Sequence, residues 1–175
     1  KRILILMVLV ALLTPTLMPS VYHRISYMMS PEYLVSSERG GRLGRWDLAV
    51  KHWQTSPAVG VGLGQFGGAV AARNYPDSSF YADSWYLKVG TETGWIGLLA
   101  TLLLILTGLR RARSSLNATD DYYLKIMGLG ILAGLVGILA HNCVENVFEV
   151  PMMASYFWFF MGLVAALPQV QVSND

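Results

Sequence analysis

Apolar residues fill four long runs of the chain, and polar residues are concentrated between the first two runs. A membrane-spanning helix needs about 20 predominantly apolar residues, so runs of this kind predict spans. The predicted transmembrane helices are 1–20, 84–109, 123–140 and 151–168. The predicted connections are an extracytoplasmic loop at 21–83, a cytoplasmic loop at 110–122, an external turn at 141–150 and a cytoplasmic tail at 169–175. The predicted fold class is therefore all-α, a polytopic integral membrane protein.

The first run is short for a span and ends near Pro15 and Pro19. Lys1 and Arg2 precede it, as in a secretory signal peptide, but no small-residue cleavage motif follows. A tilted or truncated transmembrane helix fits better. Because the chain begins at Lys1 rather than at a methionine, we interpret it as a C-terminal fragment of a longer polytopic protein.

Three arginines between the second and third runs set the predicted orientation. Arg110, Arg111 and Arg113 lie in a short connection, and such clusters mark the cytoplasmic side. The long loop at 21–83 is then external although it carries many cations, because loops of roughly 60 residues or more translocate largely regardless of charge.

Within the long loop, the segment 42–54 has apolar residues at three- and four-residue spacing, which predicts one apolar helix face. That face consists of Leu43, Trp46, Ala49, Val50 and Trp53. Ser36 or Ser37 is expected to cap the helix, and Ser56-Pro57 to end it. We interpret the segment as an amphipathic helix at the membrane surface.

Composition excludes several functional classes. Hydrophobic residues make up 54% of the chain and charged residues 14%, whereas soluble domains average about 25% charged residues. The net charge of +2 gives no basis for nucleic-acid binding. The single cysteine, Cys143, cannot form an intrachain disulfide.

Glycines recur after the amphipathic helix and predict a flexible loop that allows close approach of other backbone. They are Gly60, Gly62, Gly64, Gly67 and Gly68. The letters GLGQFG satisfy G-x-G-x-x-G, but that motif binds nucleotides only inside a βαβ unit, which the pattern does not predict. In the second span, Gly90, Gly94 and Gly97 are expected to allow close contact between helices.

Three ordered motifs carry a family resemblance over about a third of the chain. They are Arg42 with Trp46 as R-x-x-x-W, residues 57–66 as P-x-x-G-x-G-x-x-x-F, and Asp83-Ser84-Trp85 ahead of Glu92. In this order, flanked by spans, they resemble the O-antigen ligase and polymerase superfamily, which includes O-antigen ligases, Wzy-type polymerases and pilin-glycosylating ligases. Many ligases of this family carry a histidine where this chain has Asp83.

The resemblance implies a GT-C-like membrane glycosyltransferase of lipopolysaccharide or exopolysaccharide biosynthesis. It would transfer or polymerise an undecaprenyl-diphosphate-linked glycan on the outer face of the inner membrane by an inverting displacement. The implied partners are that donor, membrane lipids and an acceptor that is a glycan, a lipid A-core or a protein. No cofactor or metal is implied, because arginines can balance the charge of the leaving diphosphate.

The resemblance assigns catalysis to Arg42 and Asp83. Arg42 would bind the diphosphate, with Arg45 or Arg39 assisting, since a guanidinium binds phosphate oxygens through two N–H groups. The alternative is that these arginines anchor the helix to lipid headgroups. Asp83 would act as the general base, or it would cap the second span; the two roles are compatible.

Further substrate contacts are predicted at Trp46, Gly62, Gly64, Glu92 and His141. His141 also shares an i, i+4, i+8 spacing with two later glutamates, Glu145 and Glu149, which fits a solvated rim or an acceptor contact better than a metal site.

Two other classes of function stay open. A transporter or flippase segment for lipid-linked glycans predicts ionisable residues lining a path through the spans, but here they cluster at the external edge. The other is a purely structural membrane fragment.

Overall fold

The computed structural model of the protein describes residues 19–38, 40–74 and 82–172, and within those ranges the regular elements are helical. The helices are α1 (Pro19–Met28), α2 (Pro31–Glu38), α3 (Arg42–Thr55), α4 (Gly68–Asn74), α5 (Trp85–Asn117), α6 (Tyr122–His141), a 3-10 helix (Val147–Glu149) and α7 (Pro151–Val172). The all-α prediction is confirmed for the described residues. The first predicted span lies almost wholly outside them, and Arg39 is also outside.

The chain divides into two compact units, of which the first ends at Gly44 and the second begins at Arg45. In the first unit, the Ser30 hydroxyl accepts a hydrogen bond from the Tyr33 N–H at 3.3 Å and so caps α2. The Ser37 hydroxyl accepts the N–H of Leu43 at 3.3 Å. The predicted capping role of Ser37 is therefore confirmed, although Ser37 lies within α2 rather than next to the first residue of α3.

Among the described residues of the second unit, three helices are long and apolar enough to cross a membrane. These are α5, α6 and the part of α7 at Pro151–Gln169. They pack around a buried apolar core formed by Ile105, Ala112, Leu116, Leu135, Phe157, Met161, Val164 and Leu167. Large apolar side chains on the opposite faces are exposed, for example Leu99, Leu103 and Phe159. In a bilayer, such faces meet lipid.

Helix α5 extends past the predicted end of its span. Its 33 residues include a non-helical position at Gly94, and the uninterrupted part that follows, 95–117, corresponds to about 35 Å at 1.5 Å per residue, against about 30 Å for the hydrocarbon core. The predicted loop at 110–122 is therefore helical as far as Asn117. Ala112 is buried, and the Ser115 hydroxyl donates to the Ala165 carbonyl at 2.9 Å. The arginines mark where the apolar run ends, but packing against α7 continues the helix beyond them.

Candidate functional site

The glycine-rich loop forms backbone hydrogen bonds with α5 at a break in that helix. At Gly94 the backbone has φ 65° and ψ −168°, which interrupts the helix. In an unbroken helix the N–H groups of Trp95 and Ile96 would bond the carbonyls of Thr91 and Glu92. Here the two N–H groups instead donate to the loop carbonyls of residues 57 and 58, at 2.8 and 3.2 Å. The two freed carbonyls accept the loop N–H groups of residues 61 and 62, at 2.9 and 3.0 Å.

Glycine is required at both sides of this junction. A Cβ added to Gly94 would lie 2.3 Å from the carbonyl carbon of Ala58, and one added to Gly60 would lie 2.3 Å from that of Glu92. The predicted close approach at the loop glycines is confirmed at Gly60. At Gly94 the expected contact between helices is wrong, because Gly94 faces the loop at the break in α5. At Gly90 it is confirmed, because an added Cβ would meet the ring of Trp53 on helix α3.

A buried ion pair on α5 fixes the next part of the loop. The Lys88 ammonium lies 2.8 Å from Glu92 Oε1, with side-chain exposures of 12% and 7%. The ammonium also donates to the carbonyls of Phe66 and Gly67, at 2.7 and 2.8 Å. Glu92 Oε1 in turn accepts the Phe66 N–H at 3.2 Å. The described contacts of Glu92 are therefore with the protein, and its predicted contact with substrate stays a prediction.

Asp83 lies where the long loop re-enters α5. It is buried, and its φ of 47° is the one positive value among non-glycine residues of the described chain. Its carboxylate Oδ2 accepts from Arg45 Nη2 at 2.9 Å, and its carbonyl accepts from Trp46 Nε1 at 3.1 Å. The structure thus brings together three of the predicted site residues, Arg45, Trp46 and Asp83.

The capping role considered for Asp83 belongs to its neighbour. Ser84 is the N-cap of α5, with extended backbone, and its hydroxyl accepts the N–H of Leu87 at 3.4 Å. Asp83 stands one residue too early for this position, and its carboxylate is directed to Arg45 instead. The Asp83 carboxylate therefore forms an ion pair with Arg45 and does not cap α5.

Helix α3 packs against the broken part of α5 with much of its predicted apolar face. Ala49 is fully buried, and its carbonyl accepts from the Thr91 hydroxyl at 3.1 Å. The rings of Trp53 and Trp95 lie 4.5 Å apart, while Val50 remains exposed. The helix prediction at 42–54 is confirmed, with one more residue at its end.

The other predicted site residues are placed differently. Arg42 is the first residue of α3 and belongs to the first unit; its buried Nε has no hydrogen-bond partner among the described residues. His141 is exposed and is the last residue of α6. The Glu149 carboxylate accepts the Ala69 N–H at 2.8 Å and the Asn146 side-chain amide at 2.7 Å. Glu149 therefore secures the start of α4.

Sequence reasoning missed Lys88. The signal was present, because Lys88 precedes Glu92 by four residues and these two are the charged residues of the predicted span 84–109, and ionisable residues in a span are uncommon without a partner. Helix α4, from Gly68 to Asn74, was also missed, since the sequence there is short and rich in glycine and alanine.

The ion pair places a cation and a carboxylate side by side in space, although Arg45 and Asp83 are far apart in the sequence. Arg45 is 30% exposed at its side chain, and a guanidinium carries five N–H donors in a fixed plane. Asp83 is held against it by the ion pair and by the bond from Trp46. Such a pair can bind an anionic group and accept a proton side by side.

A family model described as O-antigen ligase matches residues 1–102, which include the glycine-rich loop, the Arg45–Asp83 pair and the break in α5. No significant match is found among curated proteins or among solved structures. The three apolar helices indicate a multi-pass inner-membrane protein. The family match indicates a ligase or polymerase type of function. Since 102 of the 175 residues are matched, the chain belongs to the O-antigen ligase family.

Proposed function

We propose that the chain is the catalytic part of a membrane glycosyltransferase that transfers or polymerises an undecaprenyl-diphosphate-linked glycan on the outer face of the inner membrane. The observation that carries this proposal is the 2.9 Å ion pair between Arg45 and Asp83, at the point where the long loop returns to α5. The family match supports the general activity; the lipid carrier, the membrane face and the residue roles are proposed.

The leaving group sets the first requirement of this reaction. As the bond between the sugar and the diphosphate breaks, negative charge develops on the diphosphate and has to be balanced by fixed positive charge. Arg45 is half-buried at the site and stays charged at any physiological pH. We assign it the diphosphate-binding role, and the same role for Arg42 stays a separate prediction.

The acceptor sets the second requirement. In a single inverting displacement, the acceptor oxygen forms a bond to the anomeric carbon while the bond from that carbon to the diphosphate oxygen breaks. The acceptor proton passes to a general base, for which Asp83 supplies the carboxylate. The bonds from Arg45 and Trp46 fix its position, which favours catalysis because a misplaced base loses rate steeply.

The transporter or flippase alternative needs charged groups lining a path through the spans. The charged pair within α5, Lys88 and Glu92, is buried and bonded to the loop rather than aligned along the helix. The structure therefore gives this alternative no specific support.

The test uses the full-length parent protein in cells that lack it. Arg45→Ala, Asp83→Asn and Arg42→Ala are expressed separately, at matched membrane levels, and the lipid-linked donor and the transferred product are followed. Lys51→Ala is the control, because Lys51 is an exposed cation of the same helix, paired only at the surface with Asp47.

We expect Arg45→Ala and Asp83→Asn to lose product while donor accumulates outside, and Lys51→Ala to make product normally. Donor retained on the cytoplasmic side would indicate a flippase. Normal product from both Arg45→Ala and Asp83→Asn would overturn the proposed site.

A further inference from the structure

The Lys88 ammonium fills a cradle made by the backbone of the glycine-rich loop. An ammonium has three N–H donors, and here the acceptors are two successive loop carbonyls and one carboxylate oxygen. Gly67 and Gly68 both have positive φ, 60° and 79°, and they turn the chain directly after the two bonded carbonyls, those of Phe66 and Gly67. The loop is thus folded around the tip of a side chain from α5.

Glu92, the ion-pair partner of Lys88, also binds the loop residue Phe66. Glu92 accepts the N–H of Phe66, so the ion pair engages both the N–H and the carbonyl of this residue. A buried ion pair is weak evidence for stability by itself, because apolar replacements of such pairs are often neutral or stabilising. Bonds to a loop, in contrast, are lost when the pair is replaced by apolar residues.

Phe66 links this loop to the proposed base. Phe66 is 2% exposed and packs in one buried cluster with Ala49 of α3 and with Ala82. Ala82 directly precedes Asp83, and Arg45 lies one helical turn before Ala49. A change in the position of Phe66 therefore acts on both sides of the Arg45–Asp83 pair.

We propose that Lys88 is a positioning residue, which together with Glu92 sets the conformation of the glycine-rich loop and, through Phe66, the placement of Asp83. The part of this proposal that concerns Asp83 rests on the proposed function. Lys88 acts through the loop and is not assigned contact with the substrate.

The first test measures the loop without reference to activity. In a full-length parent whose other cysteines are replaced, Ala71→Cys on α4 is labelled with a maleimide-polyethylene glycol in detergent micelles. Ala71 is 2% exposed, whereas its neighbour Val70 is 55% exposed, so Val70→Cys serves as the labelling control. We expect Lys88→Met to speed labelling at 71 about tenfold or more through local opening, with no change at 70.

A second pair of variants separates positioning from general stability. Lys88→Met/Glu92→Leu removes both charges, so no unpaired carboxylate is left buried and resistance to unfolding is expected to be higher than that of Lys88→Met alone. The loop bonds remain absent, so labelling at 71 is expected to stay fast and product to fall about 100-fold. Lys88→Arg, which keeps a cation with N–H donors, is expected to recover protection and product in part.

The outcomes are distinct. Slow labelling at 71 in both Lys88→Met and the double variant would overturn the positioning of the loop. Fast labelling with normal product from the double variant would overturn its link to Asp83. If Asp83→Asn makes normal product, the proposed function fails, while the labelling result still decides whether Lys88 positions the loop.

Discussion

The break at Gly94 allows a specific prediction about the coupling of the loop to α5. In Gly94→Ala, the new methyl would overlap the backbone of Ala58 and Val59, at 2.3 to 2.5 Å. The φ and ψ of this position, 65° and −168°, belong to a region that is essentially restricted to glycine. The alanine therefore favours a continuous helix, and a continuous helix excludes the loop.

The magnitude follows from the hydrogen bonds at the break. Four backbone bonds join the loop to α5 at the break, and a straightened helix would regain two, from Trp95 to Thr91 and from Ile96 to Glu92. The net loss of two bonds costs about 2 kcal/mol at about 1 kcal/mol each. Keeping the break instead would leave strain of about 1–3 kcal/mol. Depending on the route, the second unit is destabilised by about 1–3 kcal/mol, before any packing around Phe66 is lost.

The assay is equilibrium unfolding of the purified full-length parent by SDS in detergent micelles, with Gly134→Ala as the matched control. Gly134 lies within α6, and an added Cβ there would meet nothing within 4 Å. Alanine at such a position is expected to be neutral or stabilising by up to about 1 kcal/mol. If Gly94→Ala unfolds like the parent and like Gly134→Ala, the α5 break does not hold the loop as described.

The remaining predictions concern single contacts, each read by the same unfolding assay. Ser84→Ala removes the N-cap of α5 and is expected to cost about 1 kcal/mol, whereas Ser84→Gly should cost only a few tenths; no loss from Ser84→Ala would show that the hydroxyl bond is unimportant. Glu149→Ala removes the acceptor for the Ala69 N–H and is expected to cost about 1–3 kcal/mol. Glu149→Gln keeps an acceptor oxygen and should cost less; the reverse order would show that the bond to the Ala69 N–H does not secure the start of α4. Lys51→Ala breaks an exposed pair with Asp47 and is expected to cost less than about 1 kcal/mol.

The helices could be predicted because their cause is local. An apolar run long enough to cross a bilayer has to form a helix, because its backbone groups need hydrogen bonds within the segment. The spacing of Trp46, Ala49 and Trp53 predicted α3 directly. The end of α5 could not be predicted from the same pattern. Its continuation past Arg110 depends on packing of Ala112 against other helices, which a hydropathy boundary does not report.

The site was predicted in part. The order of the motifs pointed to Asp83 and to an arginine of α3, and the close approach at the glycines followed from residue type. The pairing of Asp83 with Arg45 is a tertiary contact across 38 positions of the chain, so only the fold could show it. Gly94 was read as a contact surface between spans, because a glycine in an apolar run does not reveal a positive φ.

In the proposed function, the Arg45–Asp83 pair carries out the transfer chemistry. The most direct measurement is the rate of product formation by the purified full-length parent in proteoliposomes, supplied with lipid-linked donor extracted from cells that lack the enzyme, together with donor binding. We predict that Asp83→Asn binds donor like the parent but forms product about 100-fold or more slowly, while Arg45→Ala loses both binding and transfer. Transfer by Asp83→Asn at the parent rate would contradict the account.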